Sequence, residues 1–501
     1  MLLTAHEAFP VLEREFLGAT HSIVAGFRIF DPRTKLLSDE AKKVGDTWAD
    51  LLVDTLNRGV QVTLFLSDFD PVVGLNEHRY SWECARGVLA AGEASDRSDL
   101  LRMRVSMHPA RVGLLPRLIL WPRLLKEIRS GLSDINQRSR PEKQAFLDSA
   151  PGLRPLLKWR GDMLVTRIAP PPLAPVTHHQ KLAVFDRKRL YIGGLDLNDR
   201  RYDTLEHSCA ADQTWHDTQV LVDGPVAAEA ADHLESFEAV TRGDKPKPTR
   251  HLLRTISAKR SISFPFLSPR PVVNELAEAH HAWAARAERL IYLETQFFRD
   301  RRFAKQIAQC AKKKPALSLI LILPAAPDDV AFVDEPSSDV EYGEHLQTKS
   351  LEILADGFGK RLFVGSPAQP RAAASSGRDT HYGAPIVYLH AKVSIFDDQY
   401  GTISSANLNG RSMAWDTEAG VGTESKQEVS LLKSRCFQHW LGTKAGAEFY
   451  GNTSARKAWA ERAEMNANVP PDKREGFILP YSAEPAAELG RNLPGVPEEM
   501  V

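Results

Sequence analysis

The sequence predicts an α/β protein made of two similar α/β units, and three observations support this prediction. The pattern H-x-K-x4-D occurs twice, at residues 179–186 and again at 390–397. Each copy is followed, after six intervening residues, by a quartet that opens with small residues, at 193–196 and 404–407. A length of 501 residues exceeds one ordinary domain. A repeat of this kind predicts two halves that fold alike and complete each other.

The first half opens with a predicted strand, helix and strand. Residues 22–30 form an apolar run that ends at Asp31, which predicts a buried strand. The helix is predicted to begin at the capping residue Asp46 and to end at Gly59. Residues 60–66 are again rich in β-branched and apolar residues and predict a second strand. This order predicts parallel pairing through a right-handed crossover.

The second half repeats this order, with predicted strands at 290–293 and 317–323 and a helix over 303–310 between them. In each half the motif histidine begins a further strand that ends at the motif aspartate. A short strand such as 190–192 then leads to the quartet. We therefore expect two α/β units packed about a pseudo-two-fold axis, with both motifs and the active site at the seam between them.

Shifts in composition divide the chain into four predicted segments. Residues 243–249 are polar, charged and rich in proline, which is typical of a linker. The chain beyond Gly451 is polar, and its end is expected to be extended or disordered. The predicted segments are a first half at 1–243 with an insertion at about 100–162, a linker and connecting helix at 244–288, a second half at 289–450, and a polar C-terminal tail at 451–501.

One segment of the insertion allows two interpretations. From Pro122 onward, apolar residues fall on one face of a predicted helix, whereas the basic residues fall largely elsewhere. Such a face either packs on the domain or rests in a lipid interface. The apolar residues are Leu124, Leu125, Ile128 and Leu132.

Charge and composition narrow the class of protein. Lys and Arg number 64, as do Asp and Glu, so the formal net charge is zero and offers no general attraction to nucleic acid. The four cysteines form no C-x-x-C pair, so neither a zinc site nor a disulfide framework is expected. The most apolar run, 317–323, is far shorter than the ~18 residues of a spanning helix, and no N-terminal signal is visible. We expect a cytoplasmic or peripheral membrane protein, with export by another route left open.

Two histidine and lysine pairs supply the groups that metal-independent phosphodiester cleavage requires. One group must attack phosphorus, a second must protonate the departing oxygen, and fixed positive charge must hold the anionic oxygens. Because side chains alternate along a strand, His179 and Lys181 share one face, as do His390 and Lys392. An imidazole titrates near pH ~6.5, so one ring can be neutral and nucleophilic while its partner is protonated.

Carboxylates near each motif are candidates for supporting roles. Each histidine needs an acceptor on its second nitrogen to fix its tautomer. By their place in the repeat, Asp217 and Glu418 are the candidates, with Asp416 as a second candidate in the second half. Asp186 and Asp397 close the motifs, either as structural supports at the strand ends or as ordinary turn residues. No His, Asp or Glu cluster shows metal-ligand spacing, so neither a metal nor a cofactor is expected.

These motifs resemble those of the phospholipase D superfamily, whose members carry two H-x-K-x4-D motifs, each followed by a quartet of the G-S-x-N or G-G-x-D type. The chain departs from this pattern at Ser404, where the second quartet usually opens with glycine. Further blocks resemble true phospholipases D rather than the nucleases of the superfamily, and the resemblance extends over about residues 22–422. The blocks lie at 193–204, 215–217, 292–298 and 405–413.

The resemblance implies roles for the motif residues. His179 would form a phosphohistidine, and His390 would protonate the leaving alcohol and then activate water, although the symmetry of the motifs equally permits the reverse. The lysines and polar quartet residues would hold the non-bridging oxygens of the phosphate. These residues are Lys181, Lys392, Asp196, Ser405 and Asn407.

The resemblance also implies a phospholipase D that releases phosphatidic acid from glycerophospholipids such as phosphatidylcholine, with a primary alcohol able to replace water. The expected partner is a phospholipid at a membrane surface, with no nucleic acid, and the chain is expected to be a monomer with an internal pseudo-dimer. Three alternatives stay open: a cardiolipin synthase-like phosphatidyltransferase, a metal-independent nuclease of the same superfamily, and a non-catalytic lipid-binding protein.

Overall fold

The computed structural model describes residues 1–167, 169–333 and 337–501. The strands of the first half are β1 (Leu2–Leu3), β2 (Ser22–Phe27), β3 (Gln61–Ser67), β4 (Leu101–Ser106), β5 (Leu157–Arg160), β6 (Met163–Thr166), β7 (Leu182–Phe185), β8 (Arg189–Gly193) and β9 (Thr218–Asp223). Those that follow are β10 (Leu252–Ala258), β11 (Arg270–Asn274), β12 (Leu290–Glu294), β13 (Ser318–Ile322), β14 (Leu362–Pro367), β15 (Thr380–His381), β16 (Ala384–Pro385), β17 (Val393–Phe396), β18 (Tyr400–Ser404), β19 (Glu418–Thr423) and β20 (Ile478–Pro480).

The α-helices cover the faces of the sheets and connect their strands. They are α1 (Thr4–Gly18), α2 (Trp48–Asn57), α3 (Leu75–Ala94), α4 (Leu114–Asn136), α5 (Arg140–Ser149), α6 (Pro225–Arg242), α7 (Glu275–Arg286), α8 (Arg301–Lys313), α9 (Asp328–Ala331), α10 (Ser338–Phe358), α11 (Gly410–Ala414), α12 (Lys426–Leu441), α13 (Ala455–Ala467) and α14 (Glu484–Leu489).

The two large sheets have six corresponding strands in the same order, β9-β8-β7-β2-β3-β4 in the first and β19-β18-β17-β12-β13-β14 in the second. The first runs β1-β9-β8-β7-β2-β3-β4, and the second runs β11-β10-β19-β18-β17-β12-β13-β14-β20. Each sheet contains three parallel strands that are connected through helices. They are β2, β3 and β4 in the first sheet and β12, β13 and β14 in the second. The motif strands β7 and β17 lie antiparallel to β2 and β12. The mixed α/β fold is therefore confirmed, and each motif strand occupies the same place in its sheet.

The opening helices begin where side chains satisfy their first backbone N–H groups. Helix α2 begins at Trp48 with Thr47 as its cap, and the carboxylate of Asp50 accepts hydrogen bonds from the backbone of Thr47 and Asp46. The sequence predicted Asp46 as the cap. The cap is instead Thr47, one residue later, because the backbone becomes helical only at Trp48. Helix α8 begins after Asp300, whose carboxylate accepts from the second and third N–H groups of the helix.

Two short parallel bridges join the halves next to the motifs. His178 pairs with Thr417, and His216 pairs with Leu389. The N–H of His179 donates to the carbonyl of Thr417 at 2.8 Å, and the N–H of His390 donates to the carbonyl of His216 at 2.8 Å. The start of each motif is thus bonded to the other half, which places the two motifs side by side.

The predicted linker at 244–288 is only partly a linker. Strand β10 pairs antiparallel with β19, and β11 pairs with β10, so both belong to the second sheet. Helix α7 packs its buried Leu276 and Trp283 in the core of the second half. The second half therefore begins near residue 252, because the apolar residues that follow the proline-rich stretch complete the edge of the sheet.

The C-terminal segment is not an extended tail. Strand β20 pairs antiparallel with β14, and Ile478 and Leu479 are fully buried. Helix α13 places Trp459 in the core of the second half. The expectation was wrong because a few apolar side chains in a polar sequence suffice to cover the open edge and one face of a sheet.

The insertion is shorter than predicted, and its apolar stripe faces the protein. Strand β4 is parallel to β3, so the insertion begins after Ser106. Ile128 and Leu132 of helix α4 pack with the hairpin β5-β6, and Leu124 packs with Val112 and Leu173. The lipid-interface interpretation of this face is wrong, because the hairpin provides an apolar partner within the chain. Among the described residues, no helix is both long and apolar enough to cross a bilayer.

Candidate active site

Each motif places its histidine just before a buried strand. Strand β7 begins three residues after His179 and β17 begins three residues after His390, later than predicted. The N–H of each motif histidine bonds to the opposite half, whereas the carbonyls of Lys181 and Lys392 accept from Gly193 and Ser404 of their own half. Lys181 Nζ donates to the carbonyl of His179 at 2.6 Å, and Lys392 Nζ donates to that of His390. Both ammonium groups are therefore held at the motif histidines.

The histidines are oriented by carboxylates that cross between the halves. His179 Nδ1 lies 2.9 Å from Oε1 of Glu418, and His390 Nδ1 lies 2.6 Å from Oδ2 of Asp217. A carboxylate at Nδ1 fixes the tautomer with Nδ1 protonated and leaves Nε2 with a free lone pair. Asp217 and Glu418 thus occupy the predicted supporting position, each on the histidine of the other half. Neither half contains a complete pair.

Burial shifts the titration of every group in this cluster toward its neutral form. Burial raises the pKa of Asp217 and of Glu418 to about 7, and it lowers the pKa of Lys392 to about 7. Burial, and then the charge of Lys181 and Lys392 respectively, lower the pKa of His179 and of His390 well below the usual value. Both rings are therefore neutral near pH 7 before a phosphodiester enters.

Hydrogen bonds across the halves place the two motifs in one site, because Glu418 contacts His179 and Asp217 contacts His390. The charge of Lys392 acts on His179, and the charges of Lys181 and His179 act on His390. His179 is the more accessible ring, with 13% of its side chain exposed against 5% for His390. The Nε2 edge of His179 is thus the better placed to meet a phosphorus atom that arrives from solvent.

The motif aspartates hold strand ends. The carboxylate of Asp186 accepts from the backbone N–H groups of Thr20, His21 and Ser22 at the start of β2. Although burial opposes the shift, these hydrogen bonds lower the pKa of Asp186 to about 2. Asp397 accepts in the same way from three N–H groups at the start of β12. This geometry favours the structural-support interpretation over an ordinary turn residue.

Two of the predicted phosphate-binding residues hold other site residues. Asp196 accepts from the N–H of Ile29 at 2.9 Å and lies 3.8 Å from Lys181 Nζ. Ser405 donates to Oε2 of Glu418 at 2.5 Å and is fully buried. Their polar atoms have partners within the protein, and contact with the substrate stays a prediction for both. The sequence did not show these partners, because they depend on how distant segments pack.

Asn407, the third predicted phosphate ligand, and Gly194 are the other quartet residues with contacts near the histidines. Asn407 donates through Nδ2 to Gln296 Oε1 at 3.2 Å, and its buried Oδ1 has no hydrogen-bond partner within the described part of the chain. At Gly194, which occupies the position of Ser405 in the first quartet, a Cβ atom would lie 2.1 Å from Oδ1 of Asp217. Glycine is therefore required there for Asp217 to approach His390.

Asp416, the second candidate in the second half, and two further histidines lie outside the histidine pair. Asp416 accepts from the N–H of Thr177 at 2.8 Å and pairs with Arg411, so it does not contact a motif histidine and the second-candidate assignment is wrong. His178 Nδ1 lies 2.7 Å from Thr417 Oγ1, and His381 contacts the carbonyl of Pro480. Both of these histidines serve the fold.

Three residues that the sequence analysis did not select adjoin the histidines. The charge of Arg28 lowers the pKa of His179, and that of Arg201 lowers the pKa of His390, each after the larger effect of burial. Arg201 lies over the ring of Trp215 at 3.7 Å, and that ring packs against His390 at 4.6 Å between centroids. Arg201 and Trp215 fall within the blocks that resemble phospholipases D, at 193–204 and 215–217. That resemblance could have identified both as site residues.

Comparison with known proteins gives the family. A family model described as "Cardiolipin synthase, PLD-like domain" matches residues 283–440. Phospholipase D alpha 4 of Arabidopsis thaliana is 24% identical over 59% of this chain and 53% of its own length. Phospholipase D delta of the same plant is 23% identical over 52% of this chain and 46% of its own length. The chain thus spans about half the length of the curated relatives that it matches.

A solved structure shares the fold across nearly the whole chain. The phosphatidylserine synthase of Haemophilus influenzae superposes with a TM-score of 0.50 at 13% identity, covering 93% of this chain and 92% of that protein. At this identity the likeness concerns the fold alone. The matching domain and the curated relatives, together with two intact motifs, lead to one conclusion. The chain belongs to the phospholipase D superfamily.

Proposed function

We propose that this protein is a phospholipase D, which cleaves the distal phosphodiester of glycerophospholipids such as phosphatidylcholine into phosphatidic acid and a head-group alcohol. The observation that carries the proposal is the crossed arrangement of two histidines, each with a carboxylate of the opposite half on its Nδ1. Two halves related by a pseudo-two-fold axis, within one monomeric chain, would produce such an arrangement. It supplies a nucleophile and an acid on opposite sides of one phosphate.

The proposed reaction has two steps. When the anionic phosphodiester binds, His390 takes up a proton from solvent on Nε2. Nε2 of His179 then attacks phosphorus, the bond from phosphorus to the head-group oxygen breaks, and His390 gives that oxygen its proton. His390 then accepts a proton from water, whose oxygen displaces His179 and releases phosphatidic acid. A primary alcohol in place of water gives transphosphatidylation. Lys181 and Lys392 stabilise the charge on the non-bridging oxygens, with Arg28 and Arg201 as further cations near the rings.

An exposed apolar patch supports a lipid substrate over a nucleic acid. Gly113, at the start of α4, donates to the carbonyl of Phe266 at 2.8 Å, so two exposed apolar segments lie together. Val112 donates to the carbonyl of Leu173, on the segment that leads into His179. Contiguous exposed apolar surface is typical of a membrane or protein contact. The apolar patch consists of Leu114, Leu115, Leu118, Ile119, Ile262, Phe264 and Phe266.

Basic residues flank the apolar patch and suit the phosphate groups of a bilayer surface. Arg260 lies over the ring of Phe266 at 4.3 Å, and Lys259 and Arg123 are exposed next to the two segments. Apolar side chains that enter the acyl boundary while cations meet phosphates are characteristic of interfacial binding. We therefore propose that the enzyme engages its substrate at a membrane surface through this patch.

Replacing the most exposed members of the apolar patch should weaken membrane binding. Ile119 and Ile262 are 71% and 74% exposed, so the double change to Ser should leave folding intact. It should lower partition onto phosphatidylcholine vesicles at least about tenfold, given ~1.5–3 kcal/mol per fully buried apolar side chain. Vesicle co-sedimentation measures this. The matched control is Leu431→Ser with Met465→Ser, 59% and 57% exposed on other helices. If the two double variants lowered vesicle binding equally, the proposal that the apolar patch binds the membrane would be contradicted.

The proposed reaction is tested by product analysis of the freshly purified protein without added metal. We expect choline and phosphatidic acid from phosphatidylcholine, phosphatidylethanol when ethanol is added, and no cleavage of single- or double-stranded DNA. His179→Ala should reduce lipid turnover at least about 10³-fold. Cleavage of DNA without lipid turnover would identify the nuclease alternative. Undiminished lipid turnover in His179→Ala would refute the mechanism.

A phosphatidyltransferase of the cardiolipin synthase type is the second candidate. The description of the matching family model and the fold of the phosphatidylserine synthase favour it. The same two-step chemistry serves both reactions, since only the acceptor in the second step differs. The discriminating measurement offers phosphatidylglycerol to the enzyme with water as the competing acceptor. Cardiolipin in excess of phosphatidic acid would favour the transferase.

A further inference from the structure

Three histidines far apart in the sequence meet in the fold behind the active site. His207 and His216 come from the first half, and His439 comes from helix α12 of the second. One ring nitrogen of each lies within 4.8 Å of the other two, and both first-half rings are buried. The sequence led to the expectation of no metal because these residues have no regular spacing. Only the packing of the two halves brings them together.

The distances within this cluster match those between ligands of one metal ion. Nε2 of His207 lies 3.1 Å from Nε2 of His439. Two nitrogen ligands at about 2.0–2.1 Å from a tetrahedral zinc ion are roughly 3.3 Å apart. The opposite nitrogen of His207 lies 2.6 Å from Oδ2 of Asp203. A carboxylate on the non-ligating nitrogen is the usual second contact of a histidine ligand, since it orients the ring and raises its basicity.

Unpaired polar atoms at the same place favour a ligand over a plain hydrogen-bond network. A hydrogen bond between His207 and His439 would account for their contact alone. Among the residues that the structure describes, both ring nitrogens of His216 are buried without a hydrogen-bond partner, as is Oε2 of Glu294. That oxygen lies 3.8 Å from His216 Nε2, and the other oxygen of Glu294 accepts from Tyr292. Leaving such buried groups unpaired is unfavourable, and a bound cation would remove that cost.

We propose that His207, His216 and His439 bind a divalent transition metal of the zinc type, with the carboxylate of Glu294 as the neighbouring anion. Three imidazoles and a carboxylate suit Zn²⁺, which takes nitrogen and oxygen ligands in tetrahedral geometry. Trp440 and Phe477 pack against the histidine rings and provide an apolar shell. His439 is partly exposed, which gives the ion a path from solvent.

The metal would position the catalytic groups without touching the phosphate. The N–H of His216 donates to the carbonyl of Tyr388, and its carbonyl accepts from the N–H of His390. The next residue, Asp217, orients His390. A cation bound by side chains of both halves would therefore fix the backbone at His216 and Asp217. The pair of Asp217 and His390 depends on this backbone. This role differs from the metal-independent chemistry at phosphorus, so it does not depend on which substrate the enzyme takes.

Metal binding to the full chain tests the site directly. The apoprotein is titrated with Zn²⁺ alone under equilibrium dialysis, and with Co²⁺ while the visible absorption of tetrahedral cobalt is followed. We expect about one ion per chain, a tetrahedral cobalt spectrum, and a higher melting temperature with zinc. His439→Ala should weaken zinc binding at least about 100-fold, and Asp203→Asn about 10–100-fold, the range typical of a residue that contacts a ligand. The control His21→Ala removes a histidine whose side chain is 81% exposed and should bind zinc as the native chain does.

Two further results decide the inference if a variant folds poorly. His439→Cys retains a ligand, so it should still bind one Co²⁺ and add a sulfur-to-cobalt absorption band that the native protein lacks. Native protein that binds zinc no more tightly than His439→Ala would overturn the proposal. So would an equal loss in the His21→Ala control, or a cobalt spectrum of octahedral type, since each places the ion elsewhere.

Discussion

The variant His390→Asn should accumulate a covalent phosphatidyl-enzyme on His179 when it is given an activated phospholipid. With a leaving group that departs without a proton, attack by His179 needs no acid, so the first step survives. The second step needs a base to activate water, and His390 is the residue placed for that role by Asp217. Steady turnover should therefore fall at least about 10³-fold, while one lipid phosphate per chain remains attached. Intact-protein mass spectrometry measures the adduct, which should be acid-labile.

The matched variant His179→Asn separates this assignment from its reverse. It should form no adduct, because the remaining ring would then act only as acid or base. The structure favours His179 as nucleophile because its ring is the more exposed and because Ser405 braces its carboxylate partner through Oε2 of Glu418. An adduct on His390 in His179→Asn, with none in His390→Asn, would reverse the roles. Adducts in both variants would show that either histidine can attack.

The motif spacing predicted the centre of the fold well. A strand after each histidine, a second short strand before each quartet and a parallel strand-helix-strand unit all follow from local patterns. They correspond to β7 and β8, and to β2 with β3, with their counterparts in the second half. Such elements were predictable because alternation and helix periodicity are properties of neighbouring residues.

Contacts between the halves were not predictable in the same way. The repeat indicated that Asp217 and Glu418 support histidines, but each contacts the histidine of the opposite half, which depends on packing. The same limit applies to Ser405, whose hydroxyl donates to Glu418. It also applies to β20 at the C-terminus, which has a place only because β14 has an open edge. The local sequence does not show which distant sheet edge is open to pairing or which distant side chain a residue will contact.

The variant Glu418→Gln should slow attack by His179 about 10²–10⁴-fold and change its pH dependence. As Nε2 attacks, the imidazole becomes positively charged, and the carboxylate 2.9 Å from Nδ1 stabilises that charge. A neutral amide of the same shape cannot. Because burial raises the pKa of Glu418 to about 7, the carboxylate gains a proton as the pH falls through 7. The kcat/KM of the native enzyme for the activated substrate should therefore decline below that pH.

Ser405→Ala tests the sign of this effect, since the Ser405 hydroxyl donates to Glu418 and lowers its pKa. Removing the donor should move the acid inflection of kcat/KM to higher pH, whereas Glu418→Gln should abolish it. Asp232→Asn is the matched carboxylate control, because Asp232 pairs with Arg187 on the surface, away from both catalytic rings. Its inflection should stay near that of the native enzyme. An inflection near pH 7 that persists in Glu418→Gln, or one that moves down in Ser405→Ala, would assign the titration to another group and remove Glu418 from the attack step.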